Sequence, residues 1–195
     1  MEFQITRAKD TVCEMMTDRG FFPSHRLEDP TDSSSKEPVL WEFAKEDKIA
    51  LVLWGLSVES KVVFAQRVLE EAKKREPQQI VLIVDKPLVS KAKTAISNIR
   101  KITNINVFEL ADVQFSKPRH KLVPKHRLVS AEERKAVLES YQVEEKDLPR
   151  ISCSDPIVQW YGWCPGDIIE ILRKEGIFQM HKTHRIVWPQ EILNE

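Results

Sequence analysis

Cys153, Cys164, His181 and His184 are residue types that bind zinc, and they lie within one C-terminal stretch. A structural zinc site draws four ligands together, commonly from tight knuckles of chain. Here the cysteines are eleven residues apart and the histidines three. On a strand, residues three apart point to opposite faces, so the spacing argues against zinc. A cysteine nucleophile needs a base and a group to orient that base. His120 and His126 qualify by type, but nothing in the sequence ties them to Cys153. Asp85 closes one apolar run and Glu109 lies in the next. Carboxylates so placed can bind magnesium, but two-metal chemistry needs several that converge, and no such set assembles. The five glycines form no G-x-G-x-x-G or Walker pattern. We therefore expect no catalytic residue, metal, cofactor or small-molecule substrate.

Two basic segments suit phosphate contact. One holds Lys117, Arg119, His120, Lys121, Lys125, His126 and Arg127. The other holds Lys86, Lys91, Lys93, Arg100 and Lys101. Against this, 30 Lys and Arg balance 30 Asp and Glu. A free-standing nucleic-acid binder carries a basic excess, so a solvated face or an acidic protein partner is the plainer reading of each segment. Three cysteines without a C-x-x-C pair fit a reducing compartment. The opening MEFQITRAKD lacks the apolar core of a signal peptide, and runs such as IALVLW are too short to span a bilayer. These features predict a soluble intracellular protein with no membrane partner.

The elements that must position these residues follow from periodicity. Phe3 to Arg19 reads as a helix with Phe3, Ala8, Val12, Met15 and Met16 on one face and Gly20 as its C-cap. Phe22 to Pro38, with three prolines and DSSSK, reads as a loop. Then strands and helices alternate: a strand over Ile49–Gly55, a helix over Val58–Arg75, a strand over Gln79–Asp85, a helix over Leu88–Lys101 and a strand in NINVFEL. The Val58–Arg75 helix is spaced by Val58, Val62, Ala65, Val68, Leu69 and Ala72. Continuous apolar strands between helices predict a βαβαβ unit with a mainly parallel sheet. The pattern breaks near Ser116, where KPRHKLVPKHR has no helical period, and we place a domain boundary there. Ser130 and Glu133 form a capping box for a helix over Ala131–Tyr141, with Ala136, Val137 and Leu138 inward. Asp155 is an N-cap, Pro156 fits the first turn and Gly162 ends that short helix. PGDIIEILR and MHKTHRIVW read as strands joined by a hairpin near Lys174–Phe178. The expected architecture is an α/β N-terminal domain over residues 1–116 and a small α+β C-terminal domain over 117–195.

The motifs HKLVPKH (120–126), LPRI (148–151), SDP (154–156), Gly162, PGD (165–167) and Arg185 occur in order. Together they resemble the fifth subunit shared by the nuclear RNA polymerases, a family that also has a shorter archaeal counterpart. The family's H-x-L-V-P-x-H, L-P-[RK]-I-x-x-x-D-P and P/R-G-x-x-x-x-I-x-R patterns are matched, and the resemblance covers about residues 118–188. TVCEMMTDRGFF (11–22) is similar to the opening helix of eukaryotic members. Those members carry an N-terminal jaw domain of nuclease-like α/β fold without a known catalytic role, which the archaeal form lacks.

The resemblance implies a noncatalytic structural subunit. Its C-terminal domain would dock on the largest polymerase subunit and its jaw would lie near downstream duplex DNA. It implies an interface drawn from His120, Leu122, Val123, Pro124, His126, Leu148, Pro149, Arg150, Ile151, Asp155, Pro156, Trp160, Tyr161, Gly162, Gly166, Arg173 and Arg185. Trp160, Tyr161 and Trp163 are expected exposed on a rigid knob. Lys86, Lys91 and Lys93 are the candidates for DNA contact, and the nucleus is the implied location.

The chain also departs from the family. Lys121 and Lys125 stand where many eukaryotic members carry glutamate, GIFQMHKTHR replaces the late T-A-G-R-Y segment, and Phe22–Glu42 is short for a jaw. These departures suggest a paralogue dedicated to one polymerase (nucleolar if it serves ribosomal RNA) or a viral copy working in cytoplasm or virion. The alternatives are an independent nucleic-acid-processing enzyme of nuclease-like fold and an adaptor that reuses the docking module.

Overall fold

The computed structural model describes residues 2–25, 27–30, 38–56, 60–100, 102–175 and 179–189. The chain divides into two compact units, one running to Ser116 and the other from Lys117.

The first unit begins with α1 (Glu2–Asp18). Ile5, Ala8, Val12, Met15 and Met16 form its buried stripe. Phe3, expected on that stripe, is 73% exposed. Ile5 takes its place, because only Ile5 keeps the spacing of three and four residues that holds one helix face. Gly20 ends the helix with φ +82, and the N–H of Phe21 returns to the carbonyl of Met16 at 2.9 Å. Strand β1 (Phe22–Pro23) pairs with β2 (Val39–Lys45), so the segment expected to be loop opens with a sheet edge. The alternation in VLWEFAK buries Trp41 and Phe43, which adds a strand to those that continuous apolar runs predict. Residues 31–37, with all of DSSSK, lie outside the described residues. A turn at Glu46 (φ 52) leads into β3 (Lys48–Gly55), antiparallel to β2.

From β3 onward the expected βαβαβ unit is present. Helix α2 (Lys61–Arg75) follows Ser60, whose Oγ accepts from the N–H of Val63. The predicted start at Val58 falls outside the described residues. Then come β4 (Gln79–Val84), α3 (Ser90–Ile99) and β5 (Asn104–Glu109). The predicted end of α3 at Lys101 also falls outside the described residues. The sheet order is β1-β2-β3-β4-β5, with β3, β4 and β5 parallel. Leu51, Leu53, Ile80, Leu82 and Ile105 pack against Phe64, Ala65 and Val68 of α2 and Ala92, Ile96 and Ile99 of α3. The alternate residues Val52, Trp54, Val81, Ile83 and Phe108 are buried as well, so both faces of the sheet are covered, as continuous apolar strands require. At Gly55 a Cβ would stand 2.8 Å from the Phe64 ring. Only glycine lets the end of β3 approach α2 this closely.

The second unit contains β6 (Lys125–Leu128), α4 (Ala131–Tyr141), β7 (Arg150–Ser152), α5 (Pro156–Tyr161), β8 (Ile168–Glu175) and β9 (Gln179–Trp188). Its sheet order is β6-β8-β9-β7, with only the β7–β9 pair parallel. Residues 176–178, where the hairpin tip was expected, lie outside the described residues. Strand β6 arises inside the aperiodic basic segment, and β7 inside LPRI. Both are short edges whose pairing partners are distant in sequence. Val129, Leu148, Ile168 and Ile186 form one apolar layer, with Val137 and Leu138 of α4 packed on it. Val158, Ile169, Ile171 and Val187 form the other. No residue of α4 is fully buried. Ala136, expected inward, is exposed, because a single helix on this small sheet buries only one narrow stripe.

Candidate docking surface

The stretch from Leu148 to Asp167 is held by local bonds at almost every turn. Leu148 is buried, and the carbonyl of the following Pro149 accepts from the N–H of Ile186 at 2.9 Å. Ser152 Oγ accepts from the N–H of Ser154 at 3.1 Å. Asp155 Oδ1 accepts from the N–H groups of Ile157 and Val158 at 2.8 and 3.4 Å, and Pro156 occupies the first turn. Gly162 (φ 68) closes α5. The N–H of Cys164 donates to Asp167 Oδ2 at 2.7 Å. Gly166 (φ +94) makes the turn, and a Cβ there would meet nothing within 4 Å, so its backbone angle alone calls for glycine. From α4, Arg134 donates to the Gly166 carbonyl at 3.0 Å and grips Glu145 with two bonds of 2.7 and 2.5 Å. Pairing with Arg134 holds the Glu145 carboxyl below its ordinary value. The result is a knob whose shape is set before any partner arrives.

A charge cluster lies on the α4 side of the sheet. Glu170 sits in β8 with its side chain only 6% exposed. Arg127 of β6 donates to it at 3.3 and 3.0 Å, and Lys182 of β9 at 3.0 Å. His184 Nε2 lies 3.5 Å away, and its Nδ1 meets the Tyr141 hydroxyl at 3.0 Å. In the neutral Nε2–H tautomer the Tyr141 hydroxyl donates to Nδ1. Burial pushes the Glu170 carboxyl up, but Arg127 and Lys182 together outweigh it and hold it below its ordinary value. Arg127 also bonds Glu133 at 2.6 Å and brings that carboxyl to about 2. Sequence reasoning does not find this cluster. The one signal it leaves is a carboxylate in the middle of the apolar run IIEIL.

The residues proposed for the interface divide by exposure. His120, Leu122, Pro149, Arg150, Pro156 and Arg173 are exposed, and Leu122 is 78% so. Val123, Pro124, His126, Ile151, Asp155, Tyr161, Gly166 and Arg185 are half-buried. His126 Nδ1 lies 2.8 Å from the Pro124 carbonyl, which can only accept, so Nδ1 carries the proton. Burial pushes the His126 imidazole down, with Arg173 acting the same way against the opposing Pro124 carbonyl and Asp155. The Arg150 guanidinium lies 4.0 Å from the centroid of Trp188, and Arg185 donates to the Arg150 carbonyl at 3.0 Å. One expectation is corrected. Trp160 is not displayed on the knob but is 1% exposed, inside the core. Tyr161 and Trp163 are half-buried and stack on each other at 4.6 Å. Ile157, Val158 and Trp160 are the buried residues of α5, and Val158 packs with Ile169, Ile171 and Val187 of the sheet. Leu148 and Gly162, also in the proposed set, are buried and shape the surface from beneath.

The remaining candidates do not converge. Among the described residues no three His, Cys, Asp or Glu side chains gather as a metal site would require. Cys153 is half-buried, Cys164 exposed, His184 buried and His181 exposed. In the first unit, Asp85 follows β4 and Glu109 ends β5, both exposed. Lys86, Lys91 and Lys93 are exposed along the turn after β4 and the first half of α3. No described helix is long and apolar enough to cross a membrane.

Residues 115–187 match the family model described as RNA polymerase Rpb5, C-terminal domain. The archaeal DNA-directed RNA polymerase subunit Rpo5 of Pyrococcus abyssi is 46% identical over 74 residues, which is 38% of this chain and 90% of that protein. The DNA-directed RNA polymerases IV and V subunit 5B of Arabidopsis thaliana is 26% identical over 92% of this chain and 88% of its own length. The DNA-directed RNA polymerases I, II, and III subunit rpabc1 of Dictyostelium discoideum is 26% identical over 94% of this chain and 96% of its own.

Proposed function

Because this chain belongs to the RNA polymerase subunit 5 family, we propose that it is a noncatalytic structural subunit of a multisubunit DNA-directed RNA polymerase. The observation that carries this reading is the 46% identity over nine-tenths of an archaeal polymerase subunit. In this reading the second unit anchors the chain. Leu122, Pro149, Arg150 and Arg173 touch the largest subunit, and the caps beneath them hold the surface in its bound shape. Preorganisation favours such docking because little conformational entropy remains to be lost on binding. The first unit, a mixed sheet whose β3-β4-β5 half is parallel in the style of nucleases but used here for shape, extends the jaw. Lys86, Lys91 and Lys93 face downstream duplex DNA there. Such a role places the chain in the nucleus of a eukaryotic cell.

Affinity purification of the tagged chain from native extract, with quantitative mass spectrometry, tests the core of this reading. Stoichiometric recovery of the two largest subunits of one polymerase is the expected result and also identifies the polymerase class. Recovery of the chain alone would overturn it. The jaw role has its own test. Reversing Lys86, Lys91 and Lys93 to glutamate should weaken DNA retention by the assembled polymerase and reduce its salt dependence. Unchanged retention would remove these lysines from the interface.

A further inference from the structure

From Val113 to Ala131 the chain carries no carboxylate, yet it holds Lys117, Arg119, Lys121, Lys125 and Arg127. Folding neutralises only part of this charge. Arg127 pairs with Glu133 and Glu170, and Lys117 and Arg119 interact within the chain. Lys121 and Lys125 are exposed, and neither forms an ion pair among the described residues. The carboxylates of the elements packed around them are engaged. Glu133 holds Arg127, Glu170 holds Arg127 and Lys182, and Asp155 faces His126 while it caps α5. Arg173 adds a further exposed cation beside His126.

Between Lys121 and Lys125 stands Leu122, the most exposed large apolar side chain among the described residues. A lone exposed leucine is ordinary on a protein surface, but the loop that presents this one is held in place. The N–H of His120 donates to the Lys117 carbonyl at 3.2 Å, and that of Val123 to the His120 carbonyl at 2.9 Å. The N–H of Leu122 donates to His120 Nδ1 at 3.3 Å. Pro118 and Pro124 fix their own backbone torsions, and the His126 ring holds the Pro124 carbonyl at 2.8 Å.

We propose that Leu122 is an anchor that enters an apolar pocket, rimmed by carboxylates, on another subunit of the polymerase. The proposal rests on the chain's being a polymerase subunit and gives its docking surface a partner chemistry. Two features act together. Lys121 and Lys125, without a counter-charge inside the unit, call for anions outside it. A sugar–phosphate backbone would answer these lysines but offers the leucine no apolar surface to bury. A protein pocket with an acidic rim answers both. Because the loop is set in advance, little of the gain from burying Leu122 is lost to ordering it.

The test places a photoactivatable diazirine analogue of leucine at position 122 of the tagged full-length chain and irradiates the assembled polymerase. Mass spectrometry should find crosslinks to apolar residues of another polymerase subunit. Crosslinks to nucleic acid, or to no subunit, would overturn the anchor. Two variants give a second readout. Leu122→Ser should leave thermal melting of the free chain unchanged, because the side chain is exposed, and lower recovery with polymerase by at least about tenfold. A lowered melting temperature would make the leucine a structural residue and overturn the proposal, as would unchanged recovery. Lys121→Glu together with Lys125→Glu should also lower recovery, and more so at low salt than at high. Equal recovery at every salt concentration would remove the carboxylate rim. Each of these failures leaves the subunit assignment standing. If no polymerase accompanies the unaltered chain, the subunit reading and this proposal fall together.

Discussion

The two units reach stability by different means. In the first, a five-stranded sheet is buried on both faces, and large side chains such as Trp41, Trp54, Phe43 and Phe64 fill the interior. In the second, a four-stranded sheet carries α4 with no fully buried residue. There the structure is specified by the Ser130–Glu133 box, the Asp155 cap, the Arg134 clamp and the Glu170 cluster. The match to the family model covers the second unit and stops near its start. The physical reason lies in what each kind of interaction tolerates. An apolar core accepts many exchanges that keep its volume, so pattern persists while identity drifts. A cap, a positive-φ turn or a bidentate arginine admits few residue types, so identity itself persists.

This contrast can be broken most forcefully in the core of the first unit. Phe64→Ala should cost about 3–5 kcal/mol in that unit, from lost burial and the cavity left behind. Chemical unfolding would read it, and a cost near zero would mean that α2 does not depend on Phe64. Gly55→Ala comes next. Its new methyl meets the Phe64 ring, and strain of that kind costs about 1–3 kcal/mol. A double variant with Phe64→Leu should recover part of the loss, because the obstructing ring is gone. In the second unit, Asp155→Ala should cost only about 1 kcal/mol. It should nevertheless reduce recovery with polymerase more than Phe64→Leu does, if the second unit is the anchor.

The smallest effect expected is the dependence on pH. Glu170 and Glu133 both have lowered carboxyl values in the folded chain, Glu133 at about 2. Groups shifted this way stabilise the fold above their unfolded value. That stability is lost as pH falls through the folded value. The second unit should therefore weaken as pH drops from about 4.5 towards 2. Glu170→Gln should flatten part of this acid limb in thermal melts taken across that range. An unchanged acid limb in that variant would show that the cluster does not couple to folding.

Much of the molecule is legible from residue order alone, and the parts that are not share a cause. The parallel strands of the first unit are continuous apolar runs, and the caps at Ser130, Asp155 and Gly162 are local in sequence. The segments Phe22–Pro23, Lys125–Leu128 and Arg150–Ser152 are strands only because a distant strand is there to pair with them. Their own composition reads as loop. The burial of Trp160 escapes the sequence for a related reason. Its type suits a protein interface, but which residues of α5 are buried is decided by packing.

Residue order by itself determined the βαβαβ core, the capped helices and the motifs that carry the family likeness, because periodicity and capping act over a few residues. Tertiary structure alone decided which edges pair and where Glu170 finds its cations. Those outcomes depend on groups far apart in the chain that meet only once it has folded.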